Sequence, residues 1–283
     1  MSVANRLTQD ELDRFSRDGF VFPIKVLEPQ EASDCLARLE AMEARRAGRL
    51  SPVFNAKPHL LVPWLWDLVH DPRIVERIEA LLGPDILCFG TSFISKSPGG
   101  SRYVAWHQDI TYWGLSTTDA VTAWLALTPS VPENGCVRAV PGTHRHSLAH
   151  TDSGDSANLL GRGEKMVAQV EASDAIDLAL APGEMSLHHC LAVHGSARNN
   201  SRLRRVGFAI RYMSGATMPR DGKRNSATLV RGRNLGSFAL EKEPEGEFHP
   251  AAVARHIGIV RDGMRIIFDG APSAIKTESR ASD

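Results

Sequence analysis

From Ile86 onward the chain breaks into short β-rich segments: ILCFGTSFISK, YVAWHQD, AVTAWLAL, CVRAV, KMVAQV, AIDLAL, EMSLHH and RRVGFAIRYM, separated by Gly, Pro, Asn or Asp. Strands this short must share one core, so about eight of them in succession imply a sandwich or barrel. No βαβ alternation and no G-x-G-x-x-G accompanies them, which argues against a parallel nucleotide-binding sheet. No fixed-period repeat is present either.

The first third has helical period instead. Thr8 and Glu11 have capping-box spacing, Leu12 and Phe15 share one face, and Gly19 stops the helix. Phe20–Phe22 before Pro23 reads as a short strand. Pro29 opens a second helix whose Ala32, Cys35, Leu36, Leu39 and Met42 form one apolar stripe. Asp71 and Pro72 start a third, with Ile74, Ile78 and Leu81 inward and Gly83-Pro84 as its end. These stripes need the β core to cover them. A single domain over 1–283 is therefore expected: a helical part over about 1–85, a jelly-roll core over about 86–215 and a C-terminal extension over about 216–283. The tail after Phe238 is charged and weakly patterned, and KTESRASD reads as a frayed end.

Lys+Arg and Asp+Glu are equal at 33 each, which argues against duplex nucleic acid and anionic membranes as partners. Cys35, Cys88, Cys136 and Cys190 form no CxxC pair, so neither a zinc-thiolate site nor a disulfide framework is indicated. MSVANRLTQDELDRF turns acidic where a signal peptide would be apolar, and no run of about 18 apolar residues occurs. A cytoplasmic protein acting on a small molecule is expected; oligomeric state leaves no mark.

The most informative stretch is Trp106-His107-Gln108-Asp109. Residues i and i+2 of a strand share a face, so His107 and Asp109 can hold one metal ion from one barrel edge. His188, His189 and His194 are candidates for a third ligand. Two histidines and one carboxylate suit non-haem Fe(II), because that set leaves three adjacent coordination positions open. Downstream lie Ser196, Asn199, Ser201 and Arg205. Strand alternation groups Arg205 with Gly207, Ala209 and Arg211, and sends Arg202 and Arg204 toward solvent. A fixed guanidinium beside an open iron site is what a bidentate 2-oxo acid needs for its distal carboxylate.

At these residues the sequence resembles the phytanoyl-CoA dioxygenase family of Fe(II)/2-oxoglutarate-dependent oxygenases. The likeness runs through LTQDELDRFSRDGFVFP, SFISKSPGGSRYVAWHQD, WLALTPSVPENGCVRAVPGTHR, PGEMSLHHCLAVHGSARNNS and RRVGFAIRY. It implies a mainly β fold with flanking helices, a double-stranded β-helix (jelly-roll, cupin-like) core buttressed by N-terminal α-helices. It also implies His107, Asp109 and His194 as catalytic iron ligands, with Arg205 and Ser196 on 2-oxoglutarate and Thr91 and Trp124 beside it. Fe(II), 2-oxoglutarate and O₂ are the implied cofactor and cosubstrates. In related halogenases the carboxylate position holds a small residue; here it is Asp109, which favours hydroxylation. Desaturation, epoxidation and ring formation share the ligand set. A cupin-like isomerase or hydrolase and a non-catalytic binding protein are the remaining classes.

Candidate substrate contacts are Lys96, Trp106, Gln108, Trp113, His188 and Arg211. By alternation Gln108 points away from its neighbours and reaches the entrance only if the strand end twists. Lys96, Arg102, Arg211, Arg220, Arg231 and Arg233 put positive charge near the expected rim loops, which suits either an anionic metabolite or plain solvated loop charge. The loop from Ala149 to Lys165 reads as a cover over the entrance. Asn134-Gly135 and Pro141–His144 read as structural turns.

Overall fold

A computed structural model describes residues 5–46, 48–222 and 225–269. Local rules set the helices. Helix α1 (Gln9–Asp18) begins where the Thr8 side chain accepts the Glu11 N–H while Glu11 accepts the Thr8 N–H, and it ends at Gly19, whose φ of 84° only glycine adopts without strain. Strand β1 (Phe20–Lys25) follows and runs through Pro23, which is tolerated because β1 is an edge strand. Helices α2 (Pro29–Arg45), α3 (Pro52–Asn55), α4 (Pro63–Val69) and α5 (Pro72–Leu82) each carry Pro in the first turn, where its missing N–H costs nothing.

The strands are β2 (Ile86–Lys96), β3 (Val104–His107), β4 (Ala120–Ala126), β5 (Val137–Ala139), β6 (His150–Asp152), β7 (Glu164–Met166), β8 (Ile176–Leu178), β9 (Glu184–His189), β10 (His194–Ser196), β11 (Arg205–Ser214), β12 (Ser226–Arg231) and β13 (Ala239–Leu240). One sheet has seven strands in the order β1-β9-β4-β11-β2-β12-β13, and a second has four in the order β3-β10-β5-β8. Their pairing is antiparallel except between β12 and β13. The result is a jelly-roll core. Strands β1 and β12 lie outside the 86–215 span, so chain on both sides of it builds the larger sheet.

Parity on β11 separates core from site. Val206, Phe208, Ile210 and Tyr212 face the helices and pack with Leu39, Met42, Leu65, Ile74 and Ile78. Each such side chain contributes about 1.5–3 kcal/mol by leaving water. The opposite parity, Arg205, Ala209 and Arg211, lines an inner cavity. Helix α6 (Pro250–Ile267) corrects the reading of an unpatterned tail: Ala252, His256 and Val260 form a buried stripe at i, i+4 and i+8, and His256 Nε2 meets the Ala56 carbonyl at 2.6 Å. The terminal KTESRASD lies outside the described residues. Among the described residues, no helix is long and apolar enough to cross a membrane.

The 149–165 loop contains the paired strands β6 and β7. Its Arg162 is buried, pairs with Asp152, lies 4.1 Å above the Tyr112 ring and donates to the Ile267 carbonyl at 2.8 Å. The loop is thereby tied to the C-terminus of α6.

Candidate active site

His107 ends β3 and His194 opens the adjacent β10, where the two are paired in register. Asp109 sits two residues past β3. One donor atom from each of the three lies within 4.8 Å of the others. His107 Nδ1 is 2.9 Å from the Ala105 carbonyl, and His194 Nδ1 is 2.9 Å from the Ala192 carbonyl. A carbonyl only accepts, so both Nδ1 atoms carry the proton and both Nε2 lone pairs point inward. These stand 3.4 and 3.9 Å from Asp109 Oδ1. The other oxygen, Oδ2, accepts from Thr122 Oγ1 at 2.6 Å. Two imidazoles with their tautomers set and a carboxylate held to offer one oxygen fit a divalent ion such as Fe(II).

Asp109 and His194 are held in the protonation states that ligation needs, whereas Asp109 draws His107 toward its protonated form, a proton that a bound cation would displace. Burial opposes ionisation of Asp109, but the His107 hydrogen bond and the surrounding positive charge outweigh it and hold the carboxyl well below its usual range. Burial also opposes a charged His107, yet the bond and charge of Asp109 raise its pKa. Burial, with His107 and His188 nearby, holds His194 well below its usual value. His194 is therefore neutral and ready to ligate.

Beside the triad, and among the described residues, two basic side chains stand without a carboxylate. Arg205 is fully buried; Nη1 donates to the Gly135 carbonyl at 2.6 Å, while Nε and Nη2 have no hydrogen-bond partner among the described residues. Its guanidinium lies 5.1 Å from the Trp124 ring centroid. Gly207 makes that approach possible, because a Cβ there would fall 2.0 Å from Trp124 Cζ2. Lys96 stands in register with Arg205, with Nζ 2.5 Å from Ser196 Oγ and 3.3 Å from the Gly135 carbonyl. Burial and then Arg205 push the Lys96 amine down to about 6, and burial lowers Arg205 to about 10.

A family model described as Phytanoyl-CoA dioxygenase (PhyH) matches residues 15–207, a span that includes all of these residues. The chain belongs to the phytanoyl-CoA dioxygenase family. A probable alpha-ketoglutarate-dependent hypophosphite dioxygenase of Stutzerimonas stutzeri is 27% identical over 184 residues, covering 62% of this chain and 64% of that protein. An ectoine dioxygenase of Nocardia farcinica is 31% identical over 163 residues, covering 51% and 53%. The apo structure of the non-heme monooxygenase ThoJ superposes with a TM-score of 0.81 at 30% identity, covering 96% of this chain and 99% of that one. This family member spans about half to two thirds of the length of these curated relatives.

Most of the sequence-derived candidates meet around one cavity. An inner pocket of about 60 Å³ holds the triad, Ser196, Arg205, Trp124, His188 and Arg211. It adjoins an outer cavity of about 910 Å³ that also takes in Trp113 and Lys96. His188 is buried, with Nε2 3.8 Å from Asp109 Oδ2 and Nδ1 without a hydrogen-bond partner among the described residues. Burial pushes it down to about 4. His189 faces away, accepting the Leu191 N–H at 3.1 Å. Trp113 is stacked on Phe89 at 5.5 Å.

Four expectations are corrected. Thr91 pairs with Ile210 on the helix-facing side of its strand, and its hydroxyl meets His59 Nδ1 at 2.7 Å, so Ser92, Ile94 and Lys96 hold the barrel side. Gln108 is consumed structurally: its amide donates to the His146 and Leu191 carbonyls and accepts the Leu148 N–H. Trp106 lies outside both cavities, with Arg138 5.9 Å from its ring. Lys96 is no rim charge but sits buried beside Arg205, and Arg231 and Arg233 are paired with Glu79 and Asp85. Sequence reasoning missed Thr122 and the Gly135 carbonyl. Thr122 shares parity with Trp124 in AVTAWLAL, a signal that was present; a backbone acceptor leaves none.

Proposed function

We propose that this chain is an Fe(II)/2-oxoglutarate-dependent dioxygenase that hydroxylates an unactivated C–H bond of a small anionic metabolite. The observation that carries this reading is the pairing of a tautomer-set His107–Asp109–His194 triad with a buried Arg205 whose Nε and Nη2 donors are unmet. Bound iron with 2-oxoglutarate and O₂ supplies the oxidising equivalent, with succinate and CO₂ as the co-products.

The chain's own residues do the positioning. His107 and His194 present Nε2, and Asp109 presents Oδ1 while Thr122 occupies Oδ2. Arg205 and Ser196 face the distal carboxylate of the cosubstrate, Trp124 packs beside it, and Lys96 stands behind Ser196. Leu159 and Leu160 of the 149–165 loop help keep water out. Retention of Asp109 favours oxygen transfer over halide transfer. The test is succinate formation from 2-oxoglutarate under air with Fe(II) and pooled anionic metabolites, with Asp109→Ala as the control. Succinate that rises with one pool and disappears in the variant supports the reading, and a product heavier by one oxygen atom identifies hydroxylation. Turnover supported by zinc without 2-oxoglutarate would replace it with a metal-dependent hydrolase or isomerase.

A further inference from the structure

We propose that the primary substrate carries an oxyacid group, held by Arg211 beside the metal triad, and an apolar body that runs outward between the Phe89–Trp113 pair and α6. This deepens, and rests on, the oxygenase reading above.

Arg211 stands in register with Thr122, the residue that bonds Asp109, and it lines both the inner pocket and the outer cavity. A guanidinium has five N–H donors. Here one reaches Ser92 Oγ at 3.1 Å, and among the described residues no carboxylate lies within ion-pair distance. The other basic groups lining this wall are engaged: Lys57 pairs with Glu241 at 2.5 Å, and Lys96 meets Ser196. Arg211 and Asp109 line the same inner pocket, and Asp109 is the carboxylate placed to ligate the metal. Once that charge is shared with a divalent ion, Arg211 is left short of negative charge. An acidic group on the substrate would supply both the charge and the hydrogen-bond acceptors that Arg211 then lacks.

The direction of the rest of the molecule follows from the walls. Outward from Arg211 the cavity is flanked by Phe89 and Trp113, by Leu159 and by Val260, Met264 and Ile267 of α6. These can bury a hydrocarbon body and offer it no charge. The reacting carbon then lies within the first few bonds of the acid. Arg49 and Arg102 at the outer mouth would suit the reverse orientation, but both are exposed, and a solvated charge holds an anion weakly.

The experiment is calorimetric titration of protein loaded with Ni(II) and 2-oxoglutarate, a state without turnover, using octanoate, octylphosphonate, methyl octanoate and octanol. We expect one or both acids to bind and the neutral ester and alcohol not to, the two acids separating a carboxylate from a phosphonate preference. Arg211→Gln should weaken acid binding on the order of ten- to a hundredfold and leave 2-oxoglutarate affinity unchanged. Arg211→Lys, which keeps the charge but loses the fork, should fall between, and the Arg49→Gln/Arg102→Gln double variant should match the parent. The proposal is overturned if no acid binds, if the ester binds as tightly, if the double variant rather than Arg211→Gln loses the acid, or if Arg211→Gln loses 2-oxoglutarate. Failure of the oxygenase reading shows separately, as absent Ni(II) or 2-oxoglutarate binding in the parent before any probe is added.

Discussion

Replacing Arg205 with Met should abolish cosubstrate binding without destabilising the protein. Arg205 is fully buried, and among the described residues its Nε and Nη2 have no hydrogen-bond partner. A distal carboxylate reaching both would gain two charge-assisted hydrogen bonds at about 1.5–3 kcal/mol each. Their loss amounts to about 3–6 kcal/mol, or on the order of 10²- to 10⁴-fold in Kd. The ligand-free protein meanwhile bears the cost of a buried cation with no carboxylate, several kcal/mol in its effective form. Contact with Trp124 returns up to about 2 kcal/mol of that, and the Gly135 carbonyl keeps Lys96 as a donor at 3.3 Å. Met preserves most of the side-chain length and removes the charge. Arg205→Met should therefore melt at or above the parent temperature, and it should not be stabilised further by 2-oxoglutarate. Calorimetric titration of the Ni(II)-loaded protein with 2-oxoglutarate, beside thermal unfolding with and without it, measures both quantities. A loss of affinity under about tenfold would refute the assignment of Arg205 as the clamp.

Lys96 gives the site a pH signature. Its folded-state pKa of about 6 lies below that of an unfolded lysine, about 10.4, so between these values the unfolded chain binds more protons and stability rises with pH. Below about 6 the full cost of burying the ammonium is present. Lys96→Met should flatten the rise of the urea midpoint from neutral to alkaline pH, and an unchanged slope would contradict it. Thr122→Val removes the donor to Asp109 Oδ2 and should weaken metal binding about ten- to a hundredfold, measured by Co(II) titration; unaltered affinity would show the bond to be idle. Gly207→Ala drives a methyl against Trp124 and should cost about 1–3 kcal/mol in thermal unfolding while also weakening 2-oxoglutarate binding. A fully stable variant would mean that Trp124 can move aside freely.

What was legible in the sequence was whatever depended on neighbours in the chain. The Thr8–Glu11 box, the stop at Gly19 and the Asp71-Pro72 start are local hydrogen-bonding devices, and each helix begins or ends where they stand. H-x-D pointed to two of the ligands, although only His107 lies on the strand and Asp109 follows it in a turn, and the family resemblance, not local pattern, chose His194 among the three downstream histidines. Strand parity was less secure. Thr91 and Ser92 differ by one residue, and nothing local says which faces the barrel; the register with β11 decides it. Helix α6 was obscured because its buried stripe of Ala252, His256 and Val260 contains a histidine and is surrounded by charge. The environment of Arg205 was out of reach, since its acceptor is the carbonyl of a glycine 70 residues away in sequence.

The two halves of the site lie on different sheets, and this gives cosubstrate binding a mechanical consequence. His107, His194 and Ser196 belong to the four-stranded sheet, whereas Lys96, Thr122, Trp124 and Arg205 belong to the seven-stranded one. Thr122 to Asp109 and Lys96 to Ser196 already bridge the sheets. A dicarboxylate reaching from the triad to Arg205 adds a third bridge between them. Local opening of either sheet then has to break it, so exchange of β10 and of residues 205–209 should slow together. At a ligand concentration of about 100 Kd the slowing approaches about 2.7 kcal/mol, or roughly a hundredfold. Metal alone ties His107 and His194 to Asp109, whose Thr122 bond reaches the seven-stranded sheet opposite Arg211 and not at 205–209, so it should protect β3 and β10 and leave 205–209 unchanged. Hydrogen exchange with Ni(II), and then with Ni(II) and 2-oxoglutarate, distinguishes the two steps. Protection of 205–209 by metal alone would show that the sheets are already coupled through the triad and that Arg205 is not where the cosubstrate joins them.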